Sequence, residues 1–416
     1  MSARICVVTA GHLSTCPRML KAADALAGAG YRVRLVSARH TPWATAADER
    51  VRAGRPGAWR WSVVDHGRAG APGRRLWTGL RARAAQALLR GWPAGASPLG
   101  LAVRAYARAH PELCRAALAE PADLYYGGTT GAVAAVAVAG RRAGVPYALD
   151  LEDLHSAEQD DAPGTRLAHR LAARIERAIL PGAAFLTTSS AAVARAYADT
   201  HGVAAAVVHN TFPLPETEPD LRPVPGEGLR LYWFGQTIGP RRGLEEAVRA
   251  MGQAGVPGEL HVRGRAIPAY LAALAALAGE VAPRLKLVHH EPAPPDEMVA
   301  LCRGQDVGLA LESGWSPNNR AALSNKALTY VLAGLAVALT DTEGQRPLAE
   351  DLGAGALVVR SGDVPSLARG LRQWAEDKER LHRARMASWG AARRRWHWEH
   401  PAERGTLLAS VARVLR

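Results

Sequence analysis

At 416 residues, with 48% hydrophobic and 22% charged content, the chain is too long for one compact core and suits two globular domains of roughly 200 residues each. No apolar run approaches the roughly 18 residues of a membrane span, and the first 30 residues read as a strand and helix instead of a signal peptide. Four scattered cysteines (Cys6, Cys16, Cys114, Cys302) give no spacing for a zinc site, a redox pair or a disulfide framework, which implies a reduced, cytosolic setting. The formal net charge of +14 is concentrated. Ten arginines against Asp65 and Glu112 give residues 60–118 a net +8, and nine against Glu399 and Glu403 give residues 380–416 a net +7. Subtracting both from +14 leaves −1 for everything else, so two segments carry the whole excess. Such patches favour acidic partners: anionic lipid, nucleic acid or phosphorylated substrates.

In chain order, the pattern is strand, helix, strand, helix, the signature of parallel sheets with crossover helices. Residues 4–10 predict the first strand, 18–29 a helix and 32–37 a second strand. Further strands are expected at 123–127, 146–151, 184–188 and 207–210, between alanine-rich helices. They are mostly apolar throughout, as in sheets covered on both faces. Five prolines then fall between Pro213 and Pro225, which excludes a helix or interior strand and marks a stiff linker. The pattern restarts with strands at 229–234, 259–262, 285–289, 306–311, 336–340 and 356–359. The expected organisation is an N-terminal domain over 1–212, a linker over 213–228, a C-terminal domain over 229–395 and a last segment over 396–416. The fold class is α/β, with two doubly wound, Rossmann-like domains facing across a cleft.

Three stretches could carry chemistry. The first is residues 235–243, running through Gly235, Gln236, Thr237, Gly239, Arg241, Arg242 and Gly243. A strand ending at Phe234 and a helix starting near Arg242 put this loop at a strand's carboxyl end, where open α/β sheets bind ligands. Glycines let backbone amides approach an anion, the helix N-terminus adds partial positive charge, and the arginines can bond phosphate oxygens. The same segment also reads as a Gly-Pro turn with two solvated arginines, since it is neither a Walker loop nor a dinucleotide fingerprint. The second is Ser324-Asn325-Lys326, a helix start placing a cation where the helix dipole opposes it unless an anion lies nearby. The third is the acidic run from Asp150 to Glu158, with Glu152, Asp153 and His155, which could orient hydroxyls, supply a base or cap the helix near Arg166.

The first two segments together resemble the donor half of GT-B glycosyltransferases of the large retaining family four. Gly235, Gln236 and Arg242-Gly243 fall on that family's strand-Gly-loop-basic-Gly positions. Asn325-Lys326, Thr329-Tyr330 and Ala333-Gly334-Leu335-Ala336-Val337 follow its later signature in order and spacing. Thr9-Ala10-Gly11 with Pro17-Arg18 is similar to the family's opening, His209-Asn210-Thr211-Phe212-Pro213 to its interdomain strand, and Arg395-Trp396-His397-Trp398-Glu399 to the kink before its last helix. The resemblance covers nearly the whole chain. It implies the GT-B fold, with a C-terminal helix crossing back to the first domain. It also implies transfer of a sugar from a nucleoside diphosphate sugar to a glycan, lipid-linked or natural-product acceptor, with retention of configuration and no essential metal or other cofactor.

The donor-binding set expected with it is Gly235, Gln236, Thr237, Gly239, Arg241, Gly243, Gly264, His290, Glu312, Ser324, Asn325, Ala327 and Thr329. Arg242 and Lys326 would meet the leaving diphosphate, and Glu152 and His155 would act toward an acceptor contacted by Gly11, His12, Arg18 and Asp153. The chain departs from the family at Gln236, where a basic residue is common, and at Ala321 and Thr329, where a pair of glutamates is common. The nucleoside is therefore open. Two rivals stay open with it: a nucleotide-sugar epimerase of the same fold and a non-catalytic partner protein.

Leu76, Leu80, Ala84, Leu88 and Trp92 recur every four residues among Arg74, Arg75, Arg81, Arg83 and Arg90, a basic amphipathic helix. It either packs this stripe on the N-terminal sheet or lies on an anionic membrane. If the C-terminal segment returns to the first domain, the basic segments 74–118 and 380–416 would share one face, placing a cytoplasmic protein on the inner face of the plasma membrane. No nucleic-acid recognition module is visible, so nucleic acid is not expected as a partner.

Overall fold

The structure, a computed structural model, describes residues 2–55, 57–93, 96–160 and 162–416. The chain divides into two compact units, residues 1–209 with 401–416 and residues 210–400. The first contains β1 (Arg4–Thr9), α1 (Pro17–Gly28), β2 (Arg32–Arg39), α2 (Pro42–Ala53), β3 (Arg60–Asp65), α3 (Pro72–Leu89), α4 (Leu99–Tyr106), α5 (His110–Ala117), β4 (Leu124–Gly128), α6 (Val133–Ala143), β5 (Tyr147–Leu151), α7 (Arg166–Ile179), β6 (Leu186–Thr188), α8 (Ala191–His201) and β7 (Ala206–Val207). Its seven strands form one parallel sheet in the order β3-β2-β1-β4-β5-β6-β7. Every residue of β4 and β5 is buried, because helices cover both faces. Strand β3 had no counterpart in the sequence reading. It is an edge strand in which Arg, Ser and Asp interrupt the apolar residues.

The second unit contains β8 (Leu229–Ile238), α9 (Leu244–Ala254), β9 (Gly258–Ala266), α10 (Pro268–Val281), β10 (Leu285–His290), α11 (Met298–Leu301), β11 (Val307–Ala310), α12 (Pro317–Ala321), α13 (Asn325–Leu332), β12 (Ala336–Thr340), α14 (Arg346–Leu352), β13 (Ala356–Val359), α15 (Val364–Glu376) and α16 (Lys378–Arg394). Its parallel sheet runs β10-β9-β8-β11-β12-β13. Side chains alternate between two cores: Leu229, Leu231 and Trp233 of β8 lie in one and Tyr232 in the other, and Ala336 and Ala338 of β12 oppose Val337 and Leu339.

Both sheets reverse their winding direction once, between β1 and β4 and between β8 and β11. In doubly wound sheets the crevice beyond the strand ends at such a switch point is where ligands bind.

The segment over 213–228 is not a free-standing linker. Val224 N and Arg230 N donate to Asp306, while Arg385 donates to the carbonyls of Asp220, Arg222 and Gly334. Proline removes backbone donors, so this stretch is held by side chains reaching its carbonyls. Thr211 donates to Trp396 O, and Trp398 N to Phe212 O, so the outgoing and returning stretches of chain run side by side in this unit. The return to the first unit begins at Pro401, with a π turn leading into α17 (Thr406–Val414). Fully buried Glu403 accepts from His209 N and pairs with its ring at 2.8 Å. The basic segment 380–416 is therefore divided: Arg380, Arg383, Arg385 and Arg393–Arg395 belong to the second unit, and only Arg404, Arg413 and Arg416 to the first. The two charge excesses are not one patch on one unit.

Candidate functional site

In the second unit β8 does not stop at Phe234 but continues to Ile238 through a bulge, Phe234 pairing with Arg263 and Thr237 with Arg265. Gly264 sits opposite at φ +147°, and a Cβ there would lie 2.2 Å from Gly235 O. A Cβ on Gly235 would meet the Trp233 ring at 2.7 Å. Only glycine suits either position, and these glycines shape a strand instead of the loop expected over 235–243. The bulge leaves Gln236 exposed. The true loop is 239–243, and α9 begins at Leu244, with Gly243 as its cap at φ +73°. A Cβ on Gly243 would sit 2.4 Å from Leu311 Cβ, so this loop and the one after β11 are in contact at the switch point.

Arg241 has φ +63°, and its guanidinium lies 5.2 Å over the Trp315 ring. The only other non-glycine residue with positive φ among the described residues is Thr129, at +75°, in the switch-point loop of the first unit. Left-handed backbone without glycine costs of order 1 kcal/mol and more, and it concentrates at ligand-binding loops. Arg242 is exposed beside the α9 N-terminus and makes no ion pair among the described residues. Glu245 and Glu246 in the first turn offset part of that positive field.

Lys326 has found its anion within the protein. Its Nζ lies 2.7 Å from Glu312 Oε1 and 5.8 Å from the centre of the Trp233 ring. Glu312 also accepts from Ser324 Oγ at 2.8 Å and Asn319 Nδ2 at 3.0 Å, and its carbonyl accepts from Thr340 Oγ1. Burial alone would push the Glu312 carboxyl up, but the Lys326 charge and these hydrogen bonds bring it down to about 2. Ser324 occupies the cap position of α13, yet its hydroxyl serves Glu312 and not the helix amides. The Ala327 and Thr329 side chains are fully buried, and Thr329 Oγ1 donates to Asn325 O, so neither can touch a ligand. Asn325 is exposed. His290 closes β10, stacked on His261 with their rings bonded at 2.9 Å. Missed by sequence reasoning were Trp233, whose buried indole nitrogen has no partner among the described residues, and Ser313 and Ser361, which line a small pocket with Gly243.

In the first unit, Thr129 Oγ1 accepts from Ala10 N at 3.1 Å and ties the loops after β1 and β4 together. Thr130 then reaches His155 Nδ1 at 3.2 Å and Glu158 at 3.5 Å. If Thr130 donates to Glu158, His155 carries its proton on Nδ1, which leaves Nε2 as a base. That Nε2 is buried and has no partner among the described residues. Burial, followed by the Asp153 charge, pushes Glu152 up to about 7, against the pull of Arg18. Burial and the Arg18 charge push the Lys21 ammonium down to about 7. Asp153 is half-buried, and its carbonyl accepts from Tyr197.

Two expected acceptor contacts are used up internally. His12 is 1% exposed: Nδ1 pairs with Asp48 at 2.7 Å, and Nε2 accepts from His40 N and Thr41 N. It anchors its loop and has no ring nitrogen left for a ligand. Arg18 makes a buried two-pronged pair with Asp150, at 2.9 and 2.7 Å, and donates to Val208 O. Asp150 further accepts from Tyr126 and Thr187, so it too is structural. Gly11 remains at the rim, where a Cβ would meet Cys16 Sγ at 2.8 Å. Among the described residues no three His, Cys, Asp or Glu side chains gather in a metal-holding group.

Residues 17–211 match the family described as glycosyl transferase 4-like domain. No curated protein matches the chain. Several solved structures share its fold from end to end. HepE of Anabaena, solved in complex with UDP, is 15% identical, with 100% of this chain and 99% of that one covered and a TM-score of 0.63. Sucrose-phosphate synthase of Thermosynechococcus elongatus is 15% identical, with 99% of each chain covered and a TM-score of 0.66. A glycosyltransferase of Rickettsia africae is 8% identical, with 100% and 98% covered and a TM-score of 0.63. At such identities the structural likeness establishes the fold, and the family match adds the activity class. The chain is a GT-B-fold glycosyltransferase that carries a glycosyl transferase 4-like domain in its first unit.

Proposed function

We propose that the second unit binds a nucleoside diphosphate sugar at the β8/β11 switch point and that the first unit presents the acceptor at the β1/β4 switch point. The observation that carries this is Arg242: an exposed guanidinium without an ion pair among the described residues, at a helix N-terminus, beside a loop strained at Arg241. Structures of HepE with UDP and with UDP-glucose support a donor of this class. As the bond from the sugar's anomeric carbon to the diphosphate breaks, charge accumulates on the phosphate oxygens. Arg242 and the amides at the starts of α9 and α13 would stabilise that charge. Lys326, neutralised by Glu312, contributes hydrogen bonds and holds α13 in place, with little net charge to add. Glu152 takes the proton of the acceptor hydroxyl as that oxygen bonds to the sugar, and the Nε2 of His155, without a partner among the described residues, would hold a second acceptor group. Resemblance to family four supports retention of configuration and a reaction that persists in chelator.

Turnover of a panel of nucleoside diphosphate sugars, with and without candidate acceptors, tests the reading. Arg242→Ala should lower kcat/KM by about 10²- to 10³-fold while leaving the fold intact. Unchanged turnover in both Arg242→Ala and Lys326→Ala would sink the site. A second reading, a non-catalytic protein that keeps the fold, draws on buried Ala321 and Thr329, which put no carboxylate where the family commonly has two. It predicts that no nucleoside diphosphate binds.

A further inference from the structure

Helix α3 turns its large hydrophobic side chains outward. Leu76, Trp77, Leu80 and Leu88 are 64%, 62%, 50% and 65% exposed, and Trp92 just beyond the helix is 42% exposed. The residues it buries are Thr78, Ala82, Ala85 and Leu89, as the helix packs on α4. Of nine exposed large hydrophobic residues among those described, four lie on this one helix and a fifth, Trp92, three residues past its end. At about 100° per residue, the exposed apolar side chains of α3 fill a sector roughly 120° wide, centred about 150° from the middle of the buried face. Arg83 and Arg90 border that sector on one side, Arg74 and Arg81 on the other. Arg81 is bound to Glu112 and Arg74 to Asp65 O, whereas Arg83 and Arg90 are exposed and make no ion pair among the described residues.

At the C-terminal end of the stripe lies an open cleft of about 700 Å³, lined by Arg90, Arg166, His169, Arg170 and Leu167, with no acidic side chain among its described lining residues. A small neighbouring pocket shares Leu167 and Arg170 and is walled by Leu89 and Trp92. The apolar stripe and the basic cleft therefore form one continuous surface. The described residues contain no helix long and apolar enough to cross a membrane.

We propose that α3 lies on an anionic phospholipid bilayer, with Leu76, Trp77, Leu80, Leu88 and Trp92 in the interface and the Arg90–Arg166–Arg170 cleft on a lipid phosphate. Leucines and tryptophans flanked by arginines match the layered chemistry of that interface, apolar below and anionic above. A second copy of the chain fits worse, because a twofold contact through this face would bring like-charged arginines together. This surface belongs to the first unit alone and does not depend on the donor assignment.

The test is co-sedimentation of the full chain with phosphatidylcholine vesicles and with vesicles containing about 30% phosphatidylglycerol, at low and high salt. The chain should pellet with the anionic vesicles and be released as salt rises. The triple variant Leu76→Ser, Trp77→Ser, Leu80→Ser alters only exposed side chains and should weaken binding at least about tenfold, with an unchanged thermal midpoint. Arg90→Glu with Arg170→Glu should abolish the preference for anionic lipid. No vesicle binding by the wild type, or wild-type binding by the triple variant, overturns the proposal. A dimer in light scattering without lipid that the triple variant converts to monomer would also overturn it, assigning this face to a second copy.

Discussion

Replacing Lys326 with methionine removes the cation from Glu312 while keeping most of the volume. Both side chains are nearly buried, at 15% and 10% exposure, so water does little to replace the lost partner. Glu312 is lowered from 4.5 to about 2 in the folded chain, a difference worth roughly 3 kcal/mol. Because the folded value is depressed, that stabilisation is present above the unfolded value and is lost as pH falls towards about 2. Wild-type stability should therefore be insensitive to this group between pH 7 and 5. In Lys326→Met, only the Ser324 and Asn319 bonds support the carboxylate, and the folded value rises above the unfolded one. The sign then inverts. The variant should lose about 3–5 kcal/mol at pH 7 and recover part of it as pH is lowered to 5. Urea unfolding followed by tryptophan fluorescence reports on it, since Trp233 lies beside Lys326. Adding Glu312→Gln should restore stability to within about 1 kcal/mol of wild type. A single variant within about 1 kcal/mol of wild type at pH 7, or a double variant no better than the single, would refute the buried-pair argument.

Two further outcomes follow from the same geometry. Gly264→Ala should destabilise the second unit by about 2 kcal/mol or more, measured as a lower unfolding midpoint, because the methyl meets Gly235 O in a backbone conformation that disfavours it. Glu152→Gln should remove an activity limb that rises with pH through about 7, because raising the pH converts Glu152 to the carboxylate base. A pH profile unchanged in shape would take Glu152 out of proton transfer.

Much of the architecture was legible because buried parallel strands are short apolar runs. Among the described residues, twelve of thirteen strands have a counterpart in the sequence, and β3 escaped because its edge position tolerates polar residues. Glycine misled at β8: Gly235 reads as the end of a strand, yet it marks a bulge whose reason, Gly264, lies on the neighbouring strand. In α3 the leucine stripe drew attention, while the face that packs is made of Thr78, Ala82 and Ala85 around Leu89, residues too small to dominate a hydrophobic pattern. The need for an anion near Lys326 was readable from the helix dipole. That Glu312 supplies it was not, since the pair is set by how β11 and α13 pack. His12 and Arg18 sat in the right loops, but their partners Asp48 and Asp150 are 36 and 132 positions away. Backbone strain at Thr129 and Arg241 has no sequence signature at all.

The central claim is that the β8/β11 switch point holds a nucleoside diphosphate. Calorimetric titration of wild type and Arg242→Ala with the common nucleoside diphosphates tests it most directly. The wild type should bind at least one of them saturably, with affinity weakened about tenfold or more in the variant. Absence of binding by any nucleoside diphosphate, or equal affinity in the two proteins, would contradict it.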